Sequence, residues 1–346
     1  MSDVFEELQE QETNEQLRAA LRRTQQSLDK AKAQQEEMIA AAYRAAHDVA
    51  SSLTIPKVTT WKPAPTGPGG SPEAAVCLLA DWQLGKKTPE YDSRVAADRM
   101  IQYANKVVSI IEDVRRHHPV DEARIFLLGD LVEGELIFPG QAHRIDSSLF
   151  RQVFDGAELL AEVVRIIARA VPVLKVRGVI GNHGDIGGRS RRDMHPESNA
   201  DAFLMRHAMA LLPGVDFQEP FVSGERAWFV IDEVKGRNWF LAHGNQVKGS
   251  SFGVPWYGFK NKALGWHALA TMAWNQASGF QYLATGHWHQ LVRQNISGIE
   301  HFGAGSPESA NTYAQEWLAS GGQLGSQYLV FQNERGLTSE WPIRLE

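Results

Sequence analysis

One cysteine, Cys77, is all this 346-residue sequence contains, which excludes a disulfide framework within the chain and any cysteine-rich zinc site. A reducing, intracellular setting is therefore expected. The sequence also lacks an apolar run approaching the ~18–20 residues of a membrane span, and its N-terminus is too acidic and polar for a secretory signal. No membrane partner is expected. A surplus of basic residues is missing too: the net charge is −6, so the chain does not grip nucleic acid by bulk charge. What it does have is 43% hydrophobic residues, 30 glycines and twelve histidines, enough for one large domain or two ordinary ones with a substantial core.

Residues 1–54 contain no glycine or proline and are rich in Glu, Gln, Ala, Arg and Lys. That is long-helix composition. Leu17, Leu21, Thr24, Leu28, Ala31, Gln35, Met38, Ala42, Ala45 and Val49 recur four and three apart, which predicts a coiled-coil seam, with a solitary helix as the alternative. This segment holds ten acids against six bases, so most of the net charge belongs to it. Residues 55–73, with five prolines and three glycines, predict a linker, and residues 74–346 the remaining domain.

From Ala74 onward short apolar runs alternate with amphipathic stretches, the pattern of an α/β layered domain. Strands are predicted over 74–81, 123–130, 171–182, 228–234, 237–244, 280–287, 291–297 and 327–334, and helices over 95–118, 147–169 and 199–212. Almost every early strand ends in a side chain that binds metals or moves protons: Asp81, Asp130, Asn182 with His183, His243, and His287 with His289. Taken singly, each has an ordinary reading as a helix cap or a core histidine. Together they converge where loops beyond strand ends place ligands, and glycines flank nearly all of them. Carboxylates, imidazoles and an amide without thiolate suit borderline or hard divalent ions.

The segments ADWQLGK (80–86), GDLVEG (129–134), GNHGD (181–185), AHGN (242–245) and GHWH (286–289) resemble, in order, the five motifs of the calcineurin-like metallophosphoesterases. They extend over about 60% of the chain. DWQLG is similar to the DWHLG of SbcD-type DNA repair nucleases, and the whole to stand-alone versions from tailed phages and their hosts. The resemblance implies a four-layer α-β-β-α sandwich and a cytoplasmic protein of a bacterium or phage-infected cell. It implies two divalent ions, manganese first, with magnesium, iron(II) or zinc as alternatives. Asp81, Gln83, Asp130 and His289 would hold one ion; Asp130, Asn182, His243 and His287 would hold the other. His183 would protonate the leaving oxygen or stabilise the phosphate. Two departures stand out: Gln83 replaces a usual histidine, and Gly184 replaces a usual acid, leaving Asp185 to supply that function one residue later.

Substrate contacts are expected from Arg189, Arg191 and Arg192 in the loop after the third motif, which could bind flanking phosphates. Trp256, Tyr257 and Lys260, with Phe259, Lys262 and Trp266, mix aromatic and cationic groups as a single-strand binder does; an aromatic core patch under a helix has the same composition. The expected activity is hydrolysis of phosphoester bonds in DNA by an exo- or endonuclease. The rivals are a phosphatase or nucleotide phosphodiesterase acting on small molecules, and a non-catalytic assembly protein. Expected partners are DNA, a second copy of the chain through the N-terminal helix, and an ATPase, since SbcD-type nucleases work with one and this sequence has no P-loop of its own.

Overall fold

The computed structural model describes residues 2–52, 55–61, 70–138, 140–187, 198–218, 220, 228–248, 253–274, 278–309 and 325–345. The chain divides into two compact units, Met1–Leu53 and Thr54–Glu346. The first unit is one helix, α1 (Ser2–Ser52), with no glycine or proline to interrupt it. At ~1.5 Å per residue it extends roughly 76 Å. Leu17, Leu21, Leu28 and Met38 of the heptad stripe are exposed, Leu21 by 70%. Among the described residues no helix is long and apolar enough to cross a membrane.

The second unit is mixed α/β, with two sheets. Its elements are β1 (Glu73–Leu79), α2 (Ser93–Arg115), β2 (Val120–Leu127), α3 (Leu149–Ala168), β3 (Val173–Gly178), α4 (Ala200–Ala210), β4 (Asp216–Gln218), β5 (Phe229–Val234), β6 (Arg237–Ala242), α5 (Trp256–Met272), β7 (Tyr282–Thr285), β8 (Leu291–Ile296), β9 (Ile299–Ala304), β10 (Gly325–Asn333) and β11 (Gly336–Leu345). One sheet has the order β11-β10-β1-β2-β3-β4, the other β5-β6-β7-β9-β8. Strands β1 to β4 run parallel, as do β6, β7 and β9, so their C-terminal ends share an edge within each sheet.

Side chains that alternate along a strand are divided between two cores. Ala74, Val76 and Leu78 of β1 join Phe126, Trp239, Leu241, Tyr282, Phe302, Tyr328 and Val330 in a core drawn from both sheets. Cys77 points the other way, toward Tyr103 of α2; burial pushes its thiol up to about 12, so it is no thiolate. A second core sits under α5, whose Phe259, Ala263, Trp266 and Ala270 meet Phe240, Leu283 and Val292. Helix starts follow local chemistry: the side chains of Asp92, Ser148 and Asn199 accept the first free amides of α2, α3 and α4.

Several boundaries differ from those the sequence predicts. The apolar run 171–182 is strand only over Val173–Gly178, and 179–182 becomes the turn that carries Asn182. The segment 248–267 contains most of α5, with Phe259 and Trp266 buried as core rather than available for stacking. Within the predicted linker, the Trp61 amide donates to the Val171 carbonyl at 3.2 Å and Arg115 lies 4.1 Å from its ring centroid.

Trp239 is the largest anchor between the sheets. Its ring stacks on Tyr282 at 4.6 Å, touches Phe126 and Phe302, and its Nε1 donates to Gln332 Oε1 at 2.7 Å. Trp239→Ala is expected to cost about 3–5 kcal/mol, and Trp239→Phe about 1–3 kcal/mol, chiefly through the stranded Gln332 oxygen. Urea unfolding of the two variants checks the order.

Candidate metal centre

Five of the seven non-glycine residues with positive φ among the described residues are predicted site residues: Asp81 (54°), Gln83 (45°), Asp130 (53°), His287 (71°) and His289 (52°). The other two, Lys235 and Ser297, precede glycines in two-residue hairpin turns, where this conformation is routine. A left-handed side-chain-bearing residue costs roughly 1–2 kcal/mol, so the clustering is paid for by the surrounding structure. Its cause is geometric. Each of these residues lies one to a few positions beyond the C-terminal end of a parallel strand or in the same turn, where the chain reverses sharply enough to aim the side chain back over the sheet edge. Glycines make room: a Cβ on Gly181 would lie 2.1 Å from Asp130 Oδ1, and one on Gly129 2.5 Å from the Gly181 amide.

The structure brings Asp130, His243 and His287 together, with ligand atoms all within 4.8 Å of one another. His243 is fully buried and its Nδ1 donates to the Leu128 carbonyl at 2.7 Å, which leaves Nε2 facing the centre. Around that one nitrogen lie Asp130 Oδ2 at 2.9 Å, Asn182 Oδ1 at 3.2 Å and His287 Nδ1 at 3.2 Å. One proton cannot bridge three electron-rich neighbours, and buried Asp130 Oδ2 has no hydrogen bond of good geometry. Two oxygens and two imidazole nitrogens converging without a thiolate are the donor set of a divalent cation, so these residues fit a metal.

The neighbouring residues are arranged differently. Asp81 is fully buried and both its oxygens accept from the His287 amide, at 3.1 and 2.8 Å; burial above all, against the pull of His289 and His243, raises its pKa to about 6. His289 Nδ1 donates to Glu308 Oε2 at 2.9 Å, and its Nε2 lies 3.1 Å from Gln83 Nε2 and 3.6 Å from Asp81 Oδ1. Gln83 does not present its carbonyl to this position: Oε1, the one atom of the side chain that binds cations, accepts from Lys86 Nζ at 2.7 Å.

His183 stands at the rim. Its amide donates to Asp130 Oδ1 at 2.7 Å, and its Nδ1 lies 2.9 Å from the Glu133 carbonyl and 3.4 Å from Glu133 Oε2. Burial alone would lower its pKa, but Asp130 and Glu133 outweigh this and raise it to about 10. The side chain that orients His183 is thus Glu133, itself buried and held by Gln141 Nε2 at 3.0 Å. Asp185, expected in that role, accepts from Asn199 Nδ2 at 3.1 Å. Trp256 and Tyr257 are exposed by 50% and 83% in the first turn of α5, and Lys260 is exposed beside them. Arg189, Arg191 and Arg192 lie outside the described residues.

Lys86, Glu308 and Asp201 were not anticipated. Asp201, at the start of α4, accepts from the amides of Asp130 (2.8 Å), Leu131 (3.0 Å), Val132 (3.3 Å) and Gly181 (2.9 Å), tying two motif loops to one carboxylate. Its only sequence signal is the Asn199 cap preceding it.

No protein-family model matches the chain, and no curated protein matches it. Among solved structures, the chain is similar to zinc-bound Vps29 of Entamoeba histolytica (14% identity, 78% of this chain and 98% of that one, TM-score 0.39). It is also similar to an archaeal phosphodiesterase (10%, 78% and 99%, TM-score 0.33) and to a predicted phosphoesterase of Streptococcus pneumoniae (13%, 78% and 98%, TM-score 0.31).

Asp201→Ala strands four buried amides and is expected to destabilise the chain by about 3–5 kcal/mol, read by urea unfolding. A second prediction concerns pH. Burial alone would lower the pKa of His243, but Asp130 and Asp81 outweigh it and raise it to about 9 in the metal-free centre. Below that value an entering cation must expel the proton, so affinity rises with pH and levels off above about 9. Manganese titrations across this range are expected to show up to about a tenfold gain per pH unit.

Proposed function

We propose that this chain is a metal-dependent phosphodiesterase that hydrolyses DNA, as an exo- or endonuclease, on an α-β-β-α sandwich. The observation that carries the reading is the crowding of Asp130 Oδ2, Asn182 Oδ1 and His287 Nδ1 around His243 Nε2, which one proton cannot satisfy and a divalent cation can. Such an ion would supply Lewis-acid chemistry, neutralising phosphoryl charge and making water acidic near neutral pH. Asp130, Asn182, His243 and His287 would hold it. Glu133 fixes the His183 ring through Nδ1, which leaves Nε2 to carry the proton given to the leaving oxygen. No covalent intermediate with the protein is involved.

A polymeric substrate is favoured by where α5 begins. Phe259, one turn into the helix, packs edge-on against Trp288 between His287 and His289, with ring centroids 6.4 Å apart. Trp256 and Tyr257 lie exposed in the turn of α5 that precedes Phe259, with Lys260 beside them, a combination that stacks bases and holds backbone. The three arginines after the third motif complete the reading as phosphate contacts.

The test pairs labelled single- and double-stranded DNA with bis-p-nitrophenyl phosphate, all with manganese. Asp130→Asn is expected to abolish turnover of both, and His183→Ala to reduce it by about 10²–10⁴-fold. Trp256→Ala combined with Tyr257→Ala is expected to impair DNA cleavage while sparing the dye ester. Dye turnover with intact DNA would reassign the chain to small phosphoesters. Activity untouched by either site substitution would favour an assembly role.

The exposed heptad leucines support a further proposal, that α1 pairs with a second copy of itself. A chain lacking residues 1–54 is then expected at half the solution mass of the full chain or less; an unchanged oligomeric state would leave α1 as the docking element for an ATPase partner.

A further inference from the structure

We propose that the centre is built to hold one divalent ion tightly, because a closed ring of polar contacts through Gln83, Lys86, Glu308 and His289 occupies the ligands of a second. The inference rests on the metal reading of the Asp130 cluster.

The ring is followed atom by atom. Lys86 Nζ donates to Gln83 Oε1 at 2.7 Å and forms an ion pair with Glu308 Oε1 at 2.8 Å. Glu308 Oε2 accepts from His289 Nδ1 at 2.9 Å, which in the neutral imidazole leaves Nε2 as a lone pair. That lone pair accepts from Gln83 Nε2 at 3.1 Å. Each side chain of the ring meets the next, and the ring is shielded: the side chains of Lys86 and Glu308 are 16% and 2% exposed. An ion beside Asp81 and His289 would have to take the His289 lone pair from the Gln83 amide. It would then face an NH₂ group rather than a carbonyl oxygen. Turning that amide over would set NH₂ against the Lys86 ammonium, so Lys86 holds Gln83 in its cation-rejecting orientation. The ammonium also places a fixed positive charge beside the position. The Asp130 cluster differs in geometry: Asp130 Oδ2, Asn182 Oδ1 and His287 Nδ1 all crowd the single Nε2 of His243, rather than following one another around a ring. Among the described residues, no set of three His, Cys, Asp or Glu other than Asp130, His243 and His287 has the spacing of a metal site.

The two-ion arrangement implied by the sequence resemblance therefore fits on one side only. The residues at the other position form a closed wall in which the charge of Lys86 is paired with that of Glu308. There the Gln83 amide and the Lys86 ammonium supply donors toward an anionic group without a second ion.

The experiment counts metal rather than turnover. The full chain, stripped and reloaded with excess manganese, is desalted and measured by mass spectrometry of the metal and by electron paramagnetic resonance. One ion per chain with the six-line signal of isolated manganese(II) is expected. Gln83→His, which supplies an imidazole and breaks the ring, is expected to retain two ions with an exchange-coupled signal. Lys86→Met, which frees the Gln83 amide to turn, is expected to tighten second-ion binding at least tenfold by calorimetry, and it keeps the question answerable if Gln83→His fails to fold. Two ions per chain in the unmodified protein, or no tightening in either folded variant, would overturn the proposal. No retained ion in the unmodified protein would instead sink the metal reading on which it rests, and Asp130→Asn, expected to lose the one ion, separates that outcome from incomplete loading.

Discussion

The Asp130 carboxylate is the junction on which the rest of the centre depends. One oxygen accepts the His183 amide and fixes the third motif; the other lies 2.9 Å from His243 Nε2 and fixes the second sheet's contribution. Burial would raise its pKa, yet the surrounding imidazoles, His243 foremost, hold it below the ordinary carboxylate range. A buried anion tied to both sheets gives the two halves of the unit a common electrostatic centre. It also explains why His287 is pushed down to about 3, by burial and then by the charge on His243: one imidazolium beside Asp130 leaves no place for a second.

Keeping Asp130 in a left-handed conformation requires restraint from outside the motif. Asp201 provides it, gripping the amides of Asp130 and the two residues after it while also holding Gly181. Gln327 of β10 does the equivalent for the first motif, bracketing Ala80 through both its N–H and its carbonyl at 2.9 Å just before Asp81 turns. These side chains touch no reacting group. They convert an unfavourable backbone into a fixed one, so that short motif segments from both sheets hold their geometry without an ion to organise them.

The motif residues were legible in the sequence because the constraint that shapes them is local: a strand end, a tight turn and a glycine where the backbone of another loop passes within van der Waals distance. The second layer was not, because its members act across long separations. Glu308 reaches His289 from the turn after β9, Asp201 reaches Asp130 from the start of α4, and nothing in their immediate neighbours marks them. Lys86 was in plain view three residues after Gln83, but which end of an amide it holds is a matter of three-dimensional placement. Helix α5 was obscured for another reason. Its buried stripe Phe259, Ala263, Trp266 and Ala270 has helical spacing, yet exposed Trp256, Tyr257, Leu264 and Leu269 blur the contrast on which a periodicity reading depends. The heptads of α1 predicted a helix and did so correctly, whereas what covers its leucines is not encoded in the stripe.

The two sides of the centre divide along one physical criterion. Hydrogen bonds that close on themselves make a rigid element, because every buried polar atom already has its partner and any rearrangement strands at least one of them. The ring through Lys86 and Glu308, three hydrogen bonds closed by one ion pair, comes near this kind. Polar atoms that converge on one nitrogen are a different case: a single imidazole proton serves only one of them, and a cation can serve them all. The atoms around His243 Nε2 are of that kind. The acidic total is no obstacle to an anionic substrate, since most of it resides in residues 1–54 and the second unit is close to neutral. Attraction for phosphate must then come from charges placed within a few ångströms of the reacting atoms, where the interior screens them least. His183, its amide on Asp130 and its ring beside Glu133, places one such group at the rim of the cluster, so the polarity of the site is set by side chains already fixed in the fold.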